Sequence, residues 1–246
     1  MRTIDIADLP VVTTEQMREV DRIMVSEFGI SLIQMMENAG RSLAQLALEL
    51  YAPKSVTVLA GSGGNGGGGL AAARHLANHG IELDIVLAFP EDRANGAARV
   101  QLQALRRMGI RIRTTPESGH LPDVVIDALI GYGLSGPPVG VAAELIAWTN
   151  EVPAQVLALD VPSGFDAQSG QALDPCVRAD ATLTIAASKH GLVGEVKAGR
   201  IYLADISVPS DIYRRWGYQG GNIFGQEWIV RVVDGAKQTN THRQWS

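Results

Sequence analysis

Apolar residues at helical spacing predict two amphipathic helices at the start of the chain. The first helix follows the capping sequence TTEQ at 13–16, carries apolar residues at Met17, Val20 and Ile23, and is closed by Gly29. Ser31 with Gln34 repeats the capping signal and opens a longer helix with an apolar face that ends near Tyr51. The chain therefore begins with two consecutive helices.

Behind these helices, short β-branched runs alternate with helical patterns. The segment 55–60 predicts a strand, 61–69 a glycine-rich loop and 70–78 a helix. The further predictions are strands at 83–89, 110–113, 124–128, 156–160, 181–186 and 200–205, with helices at 94–108 and 139–148. This alternation is typical of an α/β fold, in which a mainly parallel central sheet is covered by helices on both faces.

The last part of the chain carries a weaker pattern. Beyond Pro209 the periodicity fades, and 237–246 has the composition of a frayed polar tail. A chain of 246 residues is long enough for one domain with a substantial core. We therefore expect one domain over 1–209 and an extension over 210–246 that packs on it.

Composition and charge narrow the classes of function. The chain is 46% hydrophobic and 19% charged, and no apolar stretch is long enough for a membrane span. The amino terminus has Asp5 and Asp8 and no apolar signal region, so we expect a cytoplasmic protein. A net charge of −5 without a basic run does not favour a nucleic acid as partner.

The glycine-rich segment 61–69 is the strongest local signal for a binding site. Seven of its nine residues are glycine, and it lies between a strand and a helix, where backbone N–H groups can bind a phosphate at the helix amino terminus. It satisfies GxGxxG, but the acid expected at the end of the second strand is missing, since Glu82 stands where that strand begins. Conventional dinucleotide binding is therefore disfavoured. A tight turn without a ligand is the alternative.

Three other polar positions follow predicted strands, at the edge of the sheet where open α/β proteins bind their ligands. Asp127 closes an apolar strand and must meet a cation, hydrogen-bond donors or water. Asp160 closes the next strand and is followed by Ser163, with turn capping as the alternative. Lys189 follows a later strand, where it either faces a phosphate or is solvated.

The polar side chains at these positions also suggest an ion. Oxygen ligands from Asn65, Asp127 and Ser163, completed by loop carbonyls, suit a hard ion of low charge better than zinc or copper. Potassium or sodium fits such a set.

Taken together, the sequence resembles the NAD(P)H-hydrate epimerase family, also called the YjeF amino-terminal domain. Five motifs occur in the family's order between residues 13 and 209: MENAG at 36–40, GSGGNGGGGL at 61–70, DALIGYGL at 127–134, DVPSG at 160–164, and ADATLTI at 179–185 followed by KHG at 189–191. An ordered set of this kind is more specific than any one glycine pattern.

The resemblance implies a Rossmann-like three-layer sandwich, usually a homodimer, that acts as an isomerase on the R and S epimers of hydrated NADH and NADPH. One potassium ion per subunit would be held by Asn65, Asp127 and Ser163. Asp160 is our candidate proton donor, with Lys189 beside it. The implied substrate-binding residues are Gly64, Asn65, Gly66, Gly67, Gly68, Gly131, Tyr132, Gly133, Leu134, Ser135, Gly136, Pro137 and Asp160.

The chain departs from the family pattern in the glycine segment. Gly68 stands where the family has aspartate, and Tyr132 replaces a small residue. Two further hypotheses therefore remain beside an active epimerase. One is a nucleotide-binding or scaffold relative that keeps the cleft and has lost the reaction, and the other is an enzyme for another nucleotide-like metabolite.

Overall fold

The computed structural model describes residues 1–94, 96–117, 119 and 121–235. Its strands are β1 (Thr3–Asp5), β2 (Val11–Val12), β3 (Ser55–Ala60), β4 (Glu82–Leu87), β5 (Arg111–Arg113), β6 (Val124–Ala128), β7 (Gln155–Leu159), β8 (Phe165–Asp166), β9 (Gln171–Ala172), β10 (Ala181–Ile185), β11 (Ser188–Lys189), β12 (Arg200–Ala204) and β13 (Ile229–Val233). Its helices are α1 (Thr14–Ser26), α2 (Leu32–Tyr51), α3 (Gly64–Asn78), α4 (Gly96–Arg107), α5 (Gly140–Glu151) and α6 (Ser210–Arg214).

The central sheet has nine strands in the order β1-β13-β12-β10-β7-β6-β3-β4-β5. The strands from β12 to β5 run parallel, whereas β13 runs antiparallel to β12 and pairs in parallel with β1. The chain builds outward from β3 through β4 to β5 and then returns to β6 on the other side of β3. In an open sheet, this reversal of direction opens a crevice beyond the carboxyl ends of the two strands.

Helices cover both faces of the sheet, which confirms the predicted α/β fold class. Alternate side chains of β3 point to opposite faces, because successive residues of a strand do so. Val58 packs with residues of α2, α3 and α4, whereas its neighbour Leu59 packs with Leu145 and Ile146 of α5. The three layers of the predicted sandwich are therefore helices, sheet and helix.

Both predicted capping boxes are present at the starts of α1 and α2. The Thr13 hydroxyl accepts a hydrogen bond from the backbone N–H of Gln16, and the Gln16 side chain accepts one from the N–H of Thr13. Ser31 and Gln34 repeat the arrangement in α2. These caps satisfy backbone donors that would otherwise lack a partner, which is why they identify helix starts in a sequence.

The glycine-rich segment is mostly helical, so the predicted loop at 61–69 is wrong in extent. α3 begins at Gly64, and only 61–63 connect it to β3. The glycines serve close packing of this helix: a Cβ on Gly67 would lie 2.7 Å from Met36 Sδ, and one on Gly68 would lie 2.8 Å from Leu159 Cδ2. Glycine weakens a helix by about 1 kcal/mol per residue relative to alanine, and here it lets the helix approach its neighbours.

The sequence pattern also missed β1, α6 and β13. β13 lies inside the sheet between β1 and β12, with Val230 and Val232 buried. Such short strands leave little periodicity, and their pairing depends on partners far away in sequence. The predicted polar tail at 237–246 lies outside the described residues. No helix in the part of the chain that the structure describes is long and apolar enough to cross a membrane.

Candidate active site

A cleft of about 680 Å³ opens at the carboxyl ends of the central strands. Asp21 lines it from α1, Met36 from α2 and Asn65 from α3. Tyr132 enters the cleft from the connection after β6, and Asp160 from the residue that follows β7. The cleft therefore lies at the topological switch point of the sheet, where open α/β proteins bind their ligands.

Asp160 is fixed in place by backbone and side-chain contacts. Its backbone has a φ of +70°, a left-handed conformation that is uncommon for a residue with a side chain. Its N–H donates to the carbonyl of Leu183 at 2.7 Å, and its Oδ2 accepts a 2.8 Å hydrogen bond from the N–H of Tyr132. A Cβ on Gly131 would approach Oδ2 to 2.9 Å. Glycine at 131 therefore lets the neighbouring loop reach the carboxylate.

Lys189 lies behind Asp160 and not in solvent. Its Nζ forms an ion pair with Asp160 Oδ1, and the lysine is 2% exposed. The same nitrogen donates to Thr184 Oγ1 at 3.1 Å and to the carbonyls of Ile185 and Ala187 at 2.7 and 3.2 Å. The solvated alternative is therefore wrong. The ammonium already has four acceptors for its three hydrogens and does not line the cleft, so it does not face a phosphate there.

Asp127 and Ser163 form a buried hydrogen-bonded pair at the end of β6. The Ser163 N–H donates to Asp127 Oδ2 at 2.7 Å, and the hydroxyl donates to Oδ1 at 2.6 Å. The Ser163 hydroxyl also accepts from the N–H of Ile130 at 2.9 Å. Burial raises the pKa of Asp127 to about 6, while the bonds from Ser163 and Leu129 act in the opposite direction. The sequence left a cation, hydrogen-bond donors or water as partners of Asp127, and the structure shows hydrogen-bond donors.

These residues have the chemistry of a site for a monovalent cation. The Asp127 carboxylate is fully buried and forms no ion pair with the residues that the structure describes. The Ser163 hydroxyl contacts this carboxylate, and Asn65 offers an uncharged amide oxygen beside Gly131. Within the described ranges, no three His, Cys, Asp or Glu side chains cluster as a metal site. A single carboxylate with neutral oxygens fits potassium or sodium better than a divalent ion.

The other sequence-predicted site residues divide into two groups. Some line the cleft directly: Gly64, Asn65, Gly68, Gly131, Tyr132 and Gly133. The rest do not line it: Gly66 and Gly67 are buried in the packing of α3, while Leu134, Ser135, Gly136 and Pro137 lie farther along the loop.

Sequence reasoning missed two charged residues of the cleft. Asp21 accepts a 2.6 Å hydrogen bond at Oδ2 from the Tyr132 hydroxyl, and Arg18 is exposed at the cleft one turn earlier in α1. The available signal was that Asp21 occurs between Met17 and Met24 on the apolar face of the helix. A charged residue on a buried face needs a polar partner, and that partner lies 111 residues away.

The MENAG motif serves the packing of α2 against α3. Glu37 forms an ion pair with Arg74 of α3 and shares a 2.7 Å hydrogen bond with the His75 imidazole of the same helix. A Cβ on Gly40 would lie 2.7 Å from the backbone nitrogen of Ala72, so only glycine allows the two helices to approach this closely. The motif therefore holds the glycine-rich helix at the cleft.

The fold and the cleft define a Rossmann-like α/β protein with a candidate ligand site at its switch point. The family model described as "YjeF-related protein N-terminus" matches residues 32–191, and the chain belongs to this family.

Curated relatives extend the match over most of the chain. An NAD(P)H-hydrate epimerase of Dehalogenimonas lykanthroporepellens is 47% identical over 212 residues, which cover 84% of this chain and 85% of the relative. An NAD(P)H-hydrate epimerase of Rhodopirellula baltica is 35% identical, with 86% and 90% covered. A bifunctional NAD(P)H-hydrate repair enzyme of Moorella thermoacetica is 36% identical, and the match covers 82% of this chain but 41% of that longer protein.

A solved structure supports the fold independently. The crystal structure of a yeast protein superposes with a TM-score of 0.79 at 22% identity, covering 91% of this chain and 100% of the yeast chain.

Proposed function

We propose that this chain is an NAD(P)H-hydrate epimerase, an isomerase that interconverts the R and S epimers of NADH and NADPH hydrated on the nicotinamide ring. The observation that carries the proposal is the Asp160 carboxylate, which lines the cleft at the switch point and is held from behind by Lys189. The relatives that are 47% and 35% identical carry the same name and match nearly their whole length.

The reaction requires a carbon–oxygen bond to open and to form again. The ring nitrogen supplies its electron pair as the hydroxyl leaves with a proton as water, and the ring carbon becomes planar. Water then adds to the other face of the carbon and gives up a proton. Asp160 is the group in our proposal that moves a proton at its carboxyl oxygen, because it lines the cleft and its orientation is fixed.

Lys189 is a positioning residue in this proposal. It does not line the cleft, and its contacts with Thr184, Ile185 and Ala187 fix the ammonium beneath Asp160. The ion pair holds the carboxylate in one orientation and supplies the positive charge that a buried carboxylate needs.

The substrate is anionic, and the cleft offers an anchor for it. Arg18 is the one cationic side chain that lines the cleft among the described residues, and it forms no ion pair with them. We assign its guanidinium to a phosphate of the dinucleotide. The other proposed substrate-binding residues that line the cleft are Gly64, Asn65, Gly68, Gly131, Tyr132 and Gly133. Gly66, Gly67, Leu134, Ser135, Gly136 and Pro137 support these positions from the same two segments.

A potassium ion completes the proposed site. Asp127, Ser163 and Asn65 would hold it through oxygen atoms, and its charge would compensate the buried carboxylate of Asp127. When bound, the ion supplies a positive charge that joins the segments after β3, β6 and β7.

The remaining features of the proposal are a cytoplasmic location and a homodimer, the latter from the family resemblance. The proposed epimerase domain covers 1–209 together with β13, which joins its central sheet. Light scattering of the purified protein would measure the oligomeric state.

The decisive experiment mixes the purified protein with the R epimer of hydrated NADH or NADPH and follows the S epimer by chromatography. The expected result is conversion faster than the spontaneous reaction, and faster in potassium than in tetramethylammonium at equal ionic strength. A protein that is thermally stabilised by the substrate without converting it would be the binding relative instead. Stabilisation by other nucleotide-like metabolites alone would indicate a different substrate.

A further inference from the structure

The cleft contains a second carboxyl group besides Asp160. Asp21 lines the cleft from α1, and among the described residues these two are the only carboxyl groups that line it. Oδ2 of Asp21 accepts the hydrogen bond from the Tyr132 hydroxyl, and its Oδ1 has no partner in the described part of the chain. One carboxyl oxygen is therefore free to contact a ligand.

Tyr132 connects the two carboxyl groups. Its backbone N–H donates to Asp160 Oδ2 at 2.8 Å, and its hydroxyl donates to Asp21 Oδ2 at 2.6 Å. Tyr132 therefore contacts Asp160 through its backbone and Asp21 through its hydroxyl. Enzymes that invert a carbon through a related ring cation place their two carboxyl groups roughly 6.5–9.5 Å apart, which leaves room for a water molecule between them and the substrate.

Epimerisation requires proton transfer on both faces of the ring. The leaving hydroxyl takes up a proton on one face, and the incoming water loses a proton on the other. A single carboxyl group fixed on one side can serve only one of these steps directly, because proton transfer requires hydrogen-bond distance. The reverse reaction uses the same two positions with their roles exchanged.

We propose that Asp21 is the second catalytic carboxyl group, which exchanges a proton with the substrate hydroxyl on the ring face opposite to Asp160. This inference rests on the proposed epimerase function. In one direction Asp21 protonates the leaving hydroxyl, and Asp160 takes the proton of the water that adds. One water leaves and one water enters, so the atoms balance without a further reactant. Asp160 then releases its proton to solvent, and Asp21 takes one up from solvent, which restores both carboxyl groups.

The surroundings of the two carboxyl groups fit a division into one proton donor and one proton acceptor. Burial raises the pKa of Asp21, with a contribution from the charge of Asp160, whereas the Tyr132 hydrogen bond and the charge of Lys189 act in the opposite direction. Arg18 is the further charged group near Tyr132. Asp160 instead forms the ion pair with Lys189. Different surroundings of two carboxyl groups are a common way to separate the acid from the base in an active site.

The test compares Asp21→Asn with the wild-type protein in water enriched in ¹⁸O. We expect kcat to fall about 10²–10⁴-fold, the range of a general acid, while KM changes by less than about threefold. For the epimer whose hydroxyl faces Asp160, the rate of ¹⁸O incorporation into the hydroxyl should exceed the rate of inversion. The reason is that Asp160 can still open and close the carbon–oxygen bond on its own face. A purely structural role for Asp21 would lower exchange and inversion together.

Tyr132→Phe is the matched variant, because it keeps both carboxyl groups and removes the hydrogen bond that lowers the pKa of Asp21. The pH dependence of kcat assigned to Asp21 should move to higher pH, and Asp21→Asn should abolish it. This shift also decides the matter if Asp21→Asn does not fold. Wild-type kcat and an unchanged pH profile in both variants would overturn the role of Asp21 alone. A wild-type protein without epimerase activity would overturn the proposed function itself.

Discussion

The ammonium of Lys189 forms an ion pair with the carboxylate of Asp160 where the two side chains are only 1% and 2% exposed. Removing one partner leaves the other charge buried without compensation, which typically costs 3–5 kcal/mol. We expect Lys189→Met to lower the free energy of unfolding by about that amount and to reduce kcat. Urea denaturation and the epimerase assay measure the two effects.

The double variant Lys189→Met with Asp160→Asn separates charge from packing. It should regain much of the stability lost in Lys189→Met, because no uncompensated charge remains, and it should be inactive because it lacks the Asp160 carboxyl group. If the double variant and Lys189→Met had equal free energies of unfolding, Lys189 would not be compensating the charge of Asp160.

Burial of Asp127 makes stability depend on pH in a defined window. Because the pKa rises from 3.8 to about 6 on folding, the folded state binds the proton more tightly than the unfolded state. The free energy of unfolding contributed by this group should therefore fall as pH rises from about 4 to about 6. Urea denaturation across this range, with Asp127→Asn as control, measures the slope. Asp21 shifts in the same direction and remains in the control.

Potassium should oppose this loss of stability. A cation at Asp127 favours the ionised carboxylate, so potassium should raise the melting temperature more at pH 7.5 than at pH 5, relative to tetramethylammonium. Asp127→Asn should remove the difference. An equal potassium effect at both pH values, or in the variant, would contradict the assignment of Asp127 as a ligand.

The packing of α3 predicts that alanine substitution lowers the stability at one glycine and not at another. A side chain at Gly68 meets Leu159, which is 1% exposed, so Gly68→Ala should destabilise the protein by about 1–3 kcal/mol before the gain in helix propensity. Gly64→Ala is the control, because its Cβ meets only Met36 Cε at 3.9 Å. Denaturant unfolding measures both.

The same contact bears on the family's aspartate. Gly68→Asp must displace Leu159, so we expect lower stability and no gain in epimerase activity. A more active Gly68→Asp protein would show instead that glycine at this position impairs the reaction.

Arg18 should matter for binding and not for folding. Arg18→Ala removes a charged hydrogen bond to phosphate, and we expect KM to rise about 10-fold with kcat nearly unchanged. Arg22→Ala is the matched control, because Arg22 is on the next turn of α1 and pairs with Glu19 and Glu27 outside the cleft. Similar KM values in the two variants would contradict the assignment.

The sequence determined the order of the elements, because helix caps and alternating strands depend on neighbouring residues. The bounds of β3 and β6 and both capping boxes followed from local patterns. The ordered motifs also indicated the family. Local patterns did not show that the glycine segment is helical, since that depends on how closely Met36 and Leu159 pack against it.

Only the tertiary structure decided the contacts in the cleft. Tyr132 meets Asp160 across 28 residues and Asp21 across 111, and Lys189 turns inward to Asp160 where the sequence left it between a ligand and solvent. β13 likewise becomes an inner strand through pairing with β1 and β12. Periodicity reports which face of an element is buried, but it does not report which distant polar group shares that burial. The partners of the buried charges meet only once the elements have packed.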